Sequence, residues 1–184
     1  MKTLTRKDLS QKLIELAACA EAREWALKAK GTTAQLYADC KRGDWLLWLA
    51  AKAGVDRKVV TLAACAVART ALKHVPEGEL RPLKAIEAAE AWARGEPGAT
   101  LEKVQAASSN AASYAASNAY AASYAASYAA SNAAAIDAAY AAAYAAYANA
   151  ASYAAYAEKS ASLAQSAKIV RKFITWKMMV ETMK

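Results

Sequence analysis

The chain has 184 residues and a formal net charge of +8, and hydrophobic residues make up 57% of it. This length accommodates one domain, or one domain that carries a long helical extension. No run of about eighteen strongly apolar residues occurs, which predicts no membrane span, and the basic balance favours a nucleic acid, an acidic protein or an anionic membrane surface as partner.

The cysteines and the N-terminus predict a cytoplasmic protein. Cys19, Cys40 and Cys65 are an odd number without CxxC spacing, which is typical of buried reduced thiols. The basic start of the chain leads into a helix rich in charge, so it does not have the pattern of a signal peptide.

Helix signals begin close to the N-terminus. Thr5 with Asp8 resembles a capping box, and the helix that it opens is predicted to run to about Lys30. Thr33 is predicted to cap a short second helix, which ends at the turn formed by residues 41–43.

Three further helices are predicted before the first clear boundary. Asp44 is predicted to cap the Trp-Leu-Leu-Trp-Leu run at 45–49, which is apolar nearly all round and therefore belongs inside a core. Asp56 is predicted to cap the fourth helix, and Pro82 fits the first turn of the fifth, which ends near Arg94. The buried stripe of the fourth helix is predicted to be Val60, Ala64, Val67 and Ala71.

No segment alternates as a strand would, so the sequence predicts an all-α fold. A compact helical core is expected over residues 1–95, followed by a Gly/Pro-rich linker at 96–100. Within this core, residues 16–23 and 62–69 agree at seven of eight positions. The agreement indicates either a duplicated helix pair or convergence between Ala-rich helices.

A long Ala/Tyr/Ser-rich helical region is predicted over residues 101–160. From residue 105 to residue 157 it holds no Gly, no Pro and a single charge, and Ala is the best intrinsic helix former. The tyrosine face changes sides between Tyr128 and Tyr140, which predicts a hairpin that turns near 132–137. The alternative is a single rod of roughly 85 Å, buried in a dimer.

Residues 161–184 are predicted to form a basic amphipathic helix. Docking on its own domain or a sister subunit, insertion into a partner groove or membrane surface, and phosphate binding are the three interpretations. The apolar seam is Ile169, Phe173, Trp176, Val180 and Met183. Basic residues of the same segment are Lys168, Arg171, Lys172 and Lys177.

The sequence predicts no enzyme, no cofactor and no metal site. The single histidine, His74, is expected to interact with carbonyls at a helix end, and no metal-ligand spacing or phosphate-binding loop occurs. Glu87 and Glu90 lie one turn apart and are expected to form helix-to-helix ion pairs rather than a general acid/base pair. Their expected partners are Arg57, Arg69 and Arg94.

The candidate partner-binding residues are tyrosines of the Ala-rich region and three residues of the C-terminal segment. Tyr offers a large contact area with few rotamers to freeze. Because residues 105–157 contain no Lys or Arg, the stacking surface of their tyrosines is separate from the phosphate-binding charge, which disfavours nucleic-acid binding. The candidates are Tyr114, Tyr120, Tyr124, Tyr128, Tyr140, Tyr144, Tyr147, Arg171, Lys172 and Trp176.

Several motifs resemble a known family over roughly residues 9–104. They are Gly-Asp-Trp-Leu-Leu-Trp-Leu at 43–49 with Asp-Arg at 56–57, Ala-Cys at 18–19 before Trp25, and the Ala-rich runs at 64–69 and 85–92. This pattern resembles the immunity protein family common in phage and prophage genomes, which is named by association with bacterial polymorphic toxins.

The resemblance implies a non-catalytic immunity or anti-defence protein. Such a protein binds and neutralises a bacterial toxin or defence component in the cytoplasm of the host cell. The alternatives are a nucleic-acid-binding protein and a self-assembling structural protein. A second copy of the chain, in a homodimer, is a further possible partner.

Overall fold

The computed structural model describes residues 4–70, 72, 77–107 and 156–183, which form helices joined by turns and short connections. None of these residues forms a strand, which confirms the all-α class. The helices are α1 (Arg6–Glu15), α2 (Ala20–Lys28), α3 (Thr33–Asp39), α4 (Gly43–Lys52), α5 (Arg57–Arg69), α6 (Arg81–Arg94), α7 (101–107), α8 (Tyr156–Phe173) and α9 (Trp176–Thr182).

Most of the Ala-rich region lies outside the described residues. Only its positions up to 107 and from 156 onward are described, and they are helical. The seven candidate tyrosines, the choice between hairpin and single helix, and the position of His74 all lie outside. The division into a core over 1–95, a linker at 96–100, a helical region over 101–160 and a C-terminal segment stays a prediction.

Helix α5 is the most enclosed element of the core. It packs against α4, α6 and α8, and alanines on several of its sides allow these neighbours to approach closely. The apolar run of α4, which was predicted to lie in the middle, keeps Trp45, Trp48 and Leu49 half-buried. In α5 the buried side chains are Val60, Thr61, Ala63, Ala64, Cys65, Val67 and Ala68, so three of the four predicted stripe positions are confirmed and Ala71 is outside the described ranges.

The predicted single helix from Thr5 to about Lys30 is wrong. Helix α1 ends at Glu15, and the chain reverses through Ala17, whose φ of +58° lies in the left-handed region. Two backbone N–H groups close the turn, because Ala17 donates to Ile14 O and Ala18 to Leu13 O.

An arginine links the two helices of the resulting α1–α2 hairpin. The Arg6 guanidinium, at the start of α1, donates to the carbonyl oxygens of Ala26 at 2.5 Å and Ala29 at 2.7 Å, at the end of α2. The last carbonyls of a helix have no partner within the helix, so these bonds satisfy orphan acceptors and complement the negative end of the helix dipole. This long-range contact is not visible in the local sequence.

The predicted caps are partly confirmed. The Thr5 capping box and the Asp56 cap are present, and Pro82 lies in the first turn of α6. Helix α3 is capped by Thr32 instead of Thr33, whose buried hydroxyl donates to Leu4 O at 2.8 Å.

The Asp44 cap is wrong, because α4 already begins at Gly43 and the Asp44 side chain makes no cap hydrogen bond. Its carboxylate accepts from Arg42 instead.

The C-terminal segment docks on the core as two helices instead of one. Helix α8 packs on α4 and α5, and the chain then turns at 174–175 so that α9 packs on α3. Of the predicted seam, Val180 and Met183 are buried, whereas Ile169, Phe173 and Trp176 are half-buried. The fully buried positions are Ala167, Val170, Ile174 and Met179.

None of the helices in the described ranges is both long enough and apolar enough to cross a membrane.

Candidate partner-binding surface

The first residue of the Gly-Asp-Trp-Leu-Leu-Trp-Leu run sets how closely α4 approaches α8. A Cβ added at Gly43 would lie 2.5 Å from Ser166 Cβ and 2.6 Å from the Ala167 backbone nitrogen. Since Cβ atoms do not approach other atoms so closely, the two helices would have to separate. Glycine at this position therefore brings the loop between α3 and α4 against α8.

The next residues of the run form a charged and aromatic cluster. The Arg42 guanidinium donates to Asp44 at 2.9 and 2.6 Å and to Glu21 of α2 at 2.9 Å, and it lies 4.2 Å from the centre of the Trp45 ring. The Asp44 side chain is 7% exposed, and a buried carboxylate needs such a partner. The cluster ties α2 to the start of α4.

An apolar cavity of about 60 Å³ lies beside this cluster. Known ligand pockets are roughly 300–1,000 Å³ and carry a few convergent polar groups. The cavity is far below that size and is lined mainly by apolar side chains, so it is space within the core. Its aromatic lining is Trp25, Tyr37, Trp45, Trp48 and Trp176.

Two of the candidate residues from the C-terminal segment hold that segment on the core. Arg171 donates to Cys40 O at 2.8 Å and to Tyr37 O at 3.4 Å, at the carbonyl end of α3. The ring of Trp176 lies 5.6 Å from that of Tyr37, centre to centre.

Tyr37 itself donates from its hydroxyl to Ile174 O, at the corner between α8 and α9. Burial raises the pKa of Tyr37 to about 12, so the phenol remains a protonated donor at neutral pH. The corner is therefore fixed by one hydrogen-bonding phenol, one guanidinium and one ring contact.

The third candidate, Lys172, belongs to an exposed basic surface. Lys172 of α8 follows Arg171 and Lys41 follows Cys40, so each adjoins a member of the contact between Arg171 and Cys40, and Lys168 precedes Lys172 by one turn. All three lysines are exposed, and within the described part of the chain none of them forms an ion pair. We call Lys41, Lys168 and Lys172 the basic face.

A second surface lies on the α1–α2 hairpin, where a groove of about 360 Å³ separates the two helices. Its flanks are Ile14, which is 56% exposed, and Leu27, which is 66% exposed. Sequence reasoning missed this surface because it expected one continuous helix here. We call it the hairpin groove; it is lined by Ser10, Leu13, Ile14, Ala20, Arg23, Glu24 and Leu27.

One member of the acidic pair forms ion pairs. Glu90 is buried and accepts from Arg69 of α5 at 2.7 and 2.8 Å, which confirms the predicted helix-to-helix ion pair at this residue, and from Arg94 of its own helix at 3.1 Å. The hydrogen bonds from Arg69 lower the pKa of Glu90, against the opposing effect of burial. A carboxylate held ionised in this way is a poor proton donor. Glu87 is exposed.

The thiols differ in burial. Cys40 and Cys65 are buried, and burial raises the pKa of both, whereas Cys19 is exposed. Among the described residues, no group of three His, Cys, Asp or Glu side chains is placed to hold a metal ion.

Comparison with known proteins adds no further constraint on this surface. No family model, no curated protein and no solved structure matches the chain. The function is therefore argued from the residues and the geometry given above.

Proposed function

We propose that this chain is a non-catalytic immunity or anti-defence protein of phage type. It binds and thereby neutralises a bacterial toxin or defence component in the host cytoplasm. The motif resemblance of residues 9–104 supports the class of protein. The observation that carries the mode of action is the basic face, whose three lysines are exposed and without ion pairs among the described residues.

The packing of α8 explains why these lysines face the solvent. The helix uses its apolar side against α4 and α5, so the opposite side, with Lys168 and Lys172, is left outward. Arg171, between them, donates to backbone carbonyls and anchors the helix. Unpaired positive charge on a fixed helix accelerates association with an acidic surface and helps to select it. The partner is therefore expected to present acidic residues.

The test is co-expression of the chain with candidate toxins and defence systems, with cell survival as the readout. A triple variant, Lys41→Glu, Lys168→Glu and Lys172→Glu, should lose protection. The matched control, Lys7→Glu, Lys30→Glu and Lys84→Glu, makes the same change in net charge at exposed lysines elsewhere and should retain it. Equal loss in both variants would attribute protection to net charge and reject the basic face.

The tyrosines of the Ala-rich region are the second candidate interface. A variant that lacks residues 105–157 tests them in the same assay. Protection that survives this deletion but not the triple substitution supports the basic face. The reverse result would transfer the interface to the tyrosines, and failure of every candidate system to respond to the wild-type chain would reject the immunity proposal.

Nucleic-acid binding is the alternative that the same basic face favours. Phosphate binding through lysines weakens steeply as the salt concentration rises. Mobility shifts of duplex DNA and single-stranded RNA, measured across a salt series with the wild-type and triple variants, separate the two functions. A steep salt dependence that disappears in the triple variant would favour nucleic acid.

A further inference from the structure

We propose that the hairpin groove is a self-association surface through which two copies of this chain pair about a two-fold axis. This inference goes beyond the proposed function, since it concerns a different face and a different partner. It rests on the apolar residues and on the charges that the α1–α2 hairpin exposes.

Helix α2 carries side chains suited to burial on two opposite sides. One side, with Trp25 and Ala26, faces the core. Ala20, Arg23, Glu24 and Leu27 recur at helical spacing on the other side and line the groove. Two of these four side chains, Ala20 and Leu27, are apolar and exposed, so this side of α2 offers apolar surface that its own core does not cover.

The exposed apolar residues are concentrated at this groove. Of the large hydrophobic side chains that are exposed in the described ranges, Ile14 and Leu27 flank the groove, and Leu80, at 52% exposure, lies elsewhere. Single exposed hydrophobic residues are ordinary, whereas two of them around one concavity form a patch typical of an interaction site. The groove volume of about 360 Å³ leaves room for the same side chains of a second copy.

The charges on the groove indicate a second copy as the occupant. Arg23 forms no ion pair within the described part of the chain, and Glu24 pairs only with Lys28, at 2.6 Å, where both side chains are mostly exposed. In a two-fold interface the same surface of each copy meets itself. Both residue types of an intermolecular ion pair must therefore lie on that one surface. Arg23 of one copy can therefore face Glu24 of the other, in both directions.

The hairpin carries charges of both signs in nearly equal number. Residues 6–28 contain five basic and four acidic residues, a net charge of +1. An acidic protein is attracted to the basic face and gains little from a groove that carries both signs.

The test is sedimentation of the full chain over a concentration series, with a dimer expected for the wild type. Leu27→Asp should raise the dissociation constant about tenfold or more, because it removes a leucine that the dimer interface would bury and adds a charge there. Leu80→Asp is the matched control and should leave association unchanged. A melting temperature of Leu27→Asp close to that of the wild type would show that the hairpin still folds.

Charge exchange tests the two-fold geometry directly. Arg23→Glu and Glu24→Arg should each weaken association, since two like charges then meet at positions 23 and 24. The double variant Arg23→Glu/Glu24→Arg restores complementarity and should dimerise like the wild type. An equimolar mixture of the two single variants should form mixed dimers.

Two results would overturn the proposal. One is a wild-type chain that is monomeric at every concentration, and the other is a dimer that neither Leu27→Asp nor Arg23→Glu weakens. The second result would place self-association at another surface, such as the Ala-rich region. Neither result bears on the immunity proposal, which the co-expression assay tests separately.

Discussion

Residues 16–23 and 62–69 have the same residue at seven of eight positions and adopt different structures. The first segment contains the reversal between α1 and α2, and its Cys19 is exposed at the start of α2. The second lies inside α5, and its Cys65 is fully buried. The agreement in sequence therefore does not correspond to a repeated structural unit.

The difference between the two segments comes from their neighbours. In the first, Arg6 bonds to carbonyls at the end of α2 and fixes α2 beside α1, which requires a turn between them. In the second, α5 is surrounded by α4, α6 and α8, and an unbroken helix pairs its backbone groups within that enclosed space. Helix propensity is nearly the same in both, so long-range contacts decide the outcome.

The one residue that differs, Glu21 against Val67, supplies the strongest test. Val67 is fully buried, so Val67→Glu should destabilise the fold by about 4 kcal/mol or more, because it buries a carboxylate without a partner. The reciprocal change, Glu21→Val, removes only an exposed ion pair with Arg42 and should cost less than about 1 kcal/mol. Urea unfolding measures both. Similar costs would mean that the two segments have similar environments.

The arginine that ends each segment gives the next test. Arg69→Ala leaves buried Glu90 with Arg94 alone and should cost about 2 kcal/mol. Arg23→Ala should cost less than about 0.5 kcal/mol in dilute, monomeric protein, since Arg23 has no ion pair among the described residues. Thermal unfolding of the two variants under identical conditions provides the comparison.

The Arg69 contribution should also depend on pH. The pKa of Glu90 is lower in the folded chain than in the unfolded chain, where the pKa of a glutamate is about 4.3. The stabilisation by the Arg69–Glu90 ion pair is therefore fully present above about pH 4.3. It is lost as the pH falls through the lower pKa that Glu90 has in the folded chain. The difference in unfolding free energy between wild type and Arg69→Ala should shrink over that range. A difference that stays constant to lower pH would exclude this ion pair as its cause.

Replacement by glycine is expected to change the stability in opposite directions at the two alanines that correspond in the segments 16–23 and 62–69. Ala17 has a φ of +58°, where glycine is less strained, so Ala17→Gly should stabilise the fold by about 0.5–1 kcal/mol. Ala63, its counterpart, lies buried inside α5, and Ala63→Gly should destabilise by about 1 kcal/mol. Denaturant midpoints check the two signs. A loss of stability on Ala17→Gly would argue against the reversal at this residue.

The smallest energetic effect is expected from modification of the equivalent cysteines. Iodoacetamide should alkylate Cys19 in the native protein without a measurable change in stability, because this side chain is exposed. Cys65 should stay unmodified until the chain unfolds, since burial both shields its thiol and raises its pKa. Peptide mass spectrometry after timed alkylation gives the order of reaction. Native labelling of Cys65 at a rate comparable with Cys19 would contradict the burial of α5.

Local signals predicted those features whose causes are local. Thr5, Asp56 and Pro82 stand within a few residues of the backbone groups that they serve, and the predicted stripe of α5 follows from helical spacing alone. The ion pairs of Glu90 were predictable because this glutamate lies on the apolar side of a predicted helix and the sequence places several arginines within reach.

Contacts between distant residues escaped prediction. The Tyr37 hydroxyl bonds to a carbonyl 137 residues away, and the Arg6 guanidinium bonds across the α1–α2 turn. For the candidate surface, Lys172 was visible as a charge on a basic helix, but the contact of the preceding Arg171 with Cys40 was not. The hairpin groove was missed altogether, since its two walls were expected to be one helix.

By itself the sequence determined the helical class, the basic charge and the helix starts that Thr5, Asp56 and Pro82 mark, because propensity, charge and capping act within one or two turns. Only the tertiary structure decided which sides of those helices are covered. It buried Cys65 and exposed Cys19, although the residues next to them in the sequence are nearly identical. It also used Arg171 as an anchor while leaving Lys172 in solvent. Burial is a property of what packs against a residue, and those neighbours lie far away along the chain.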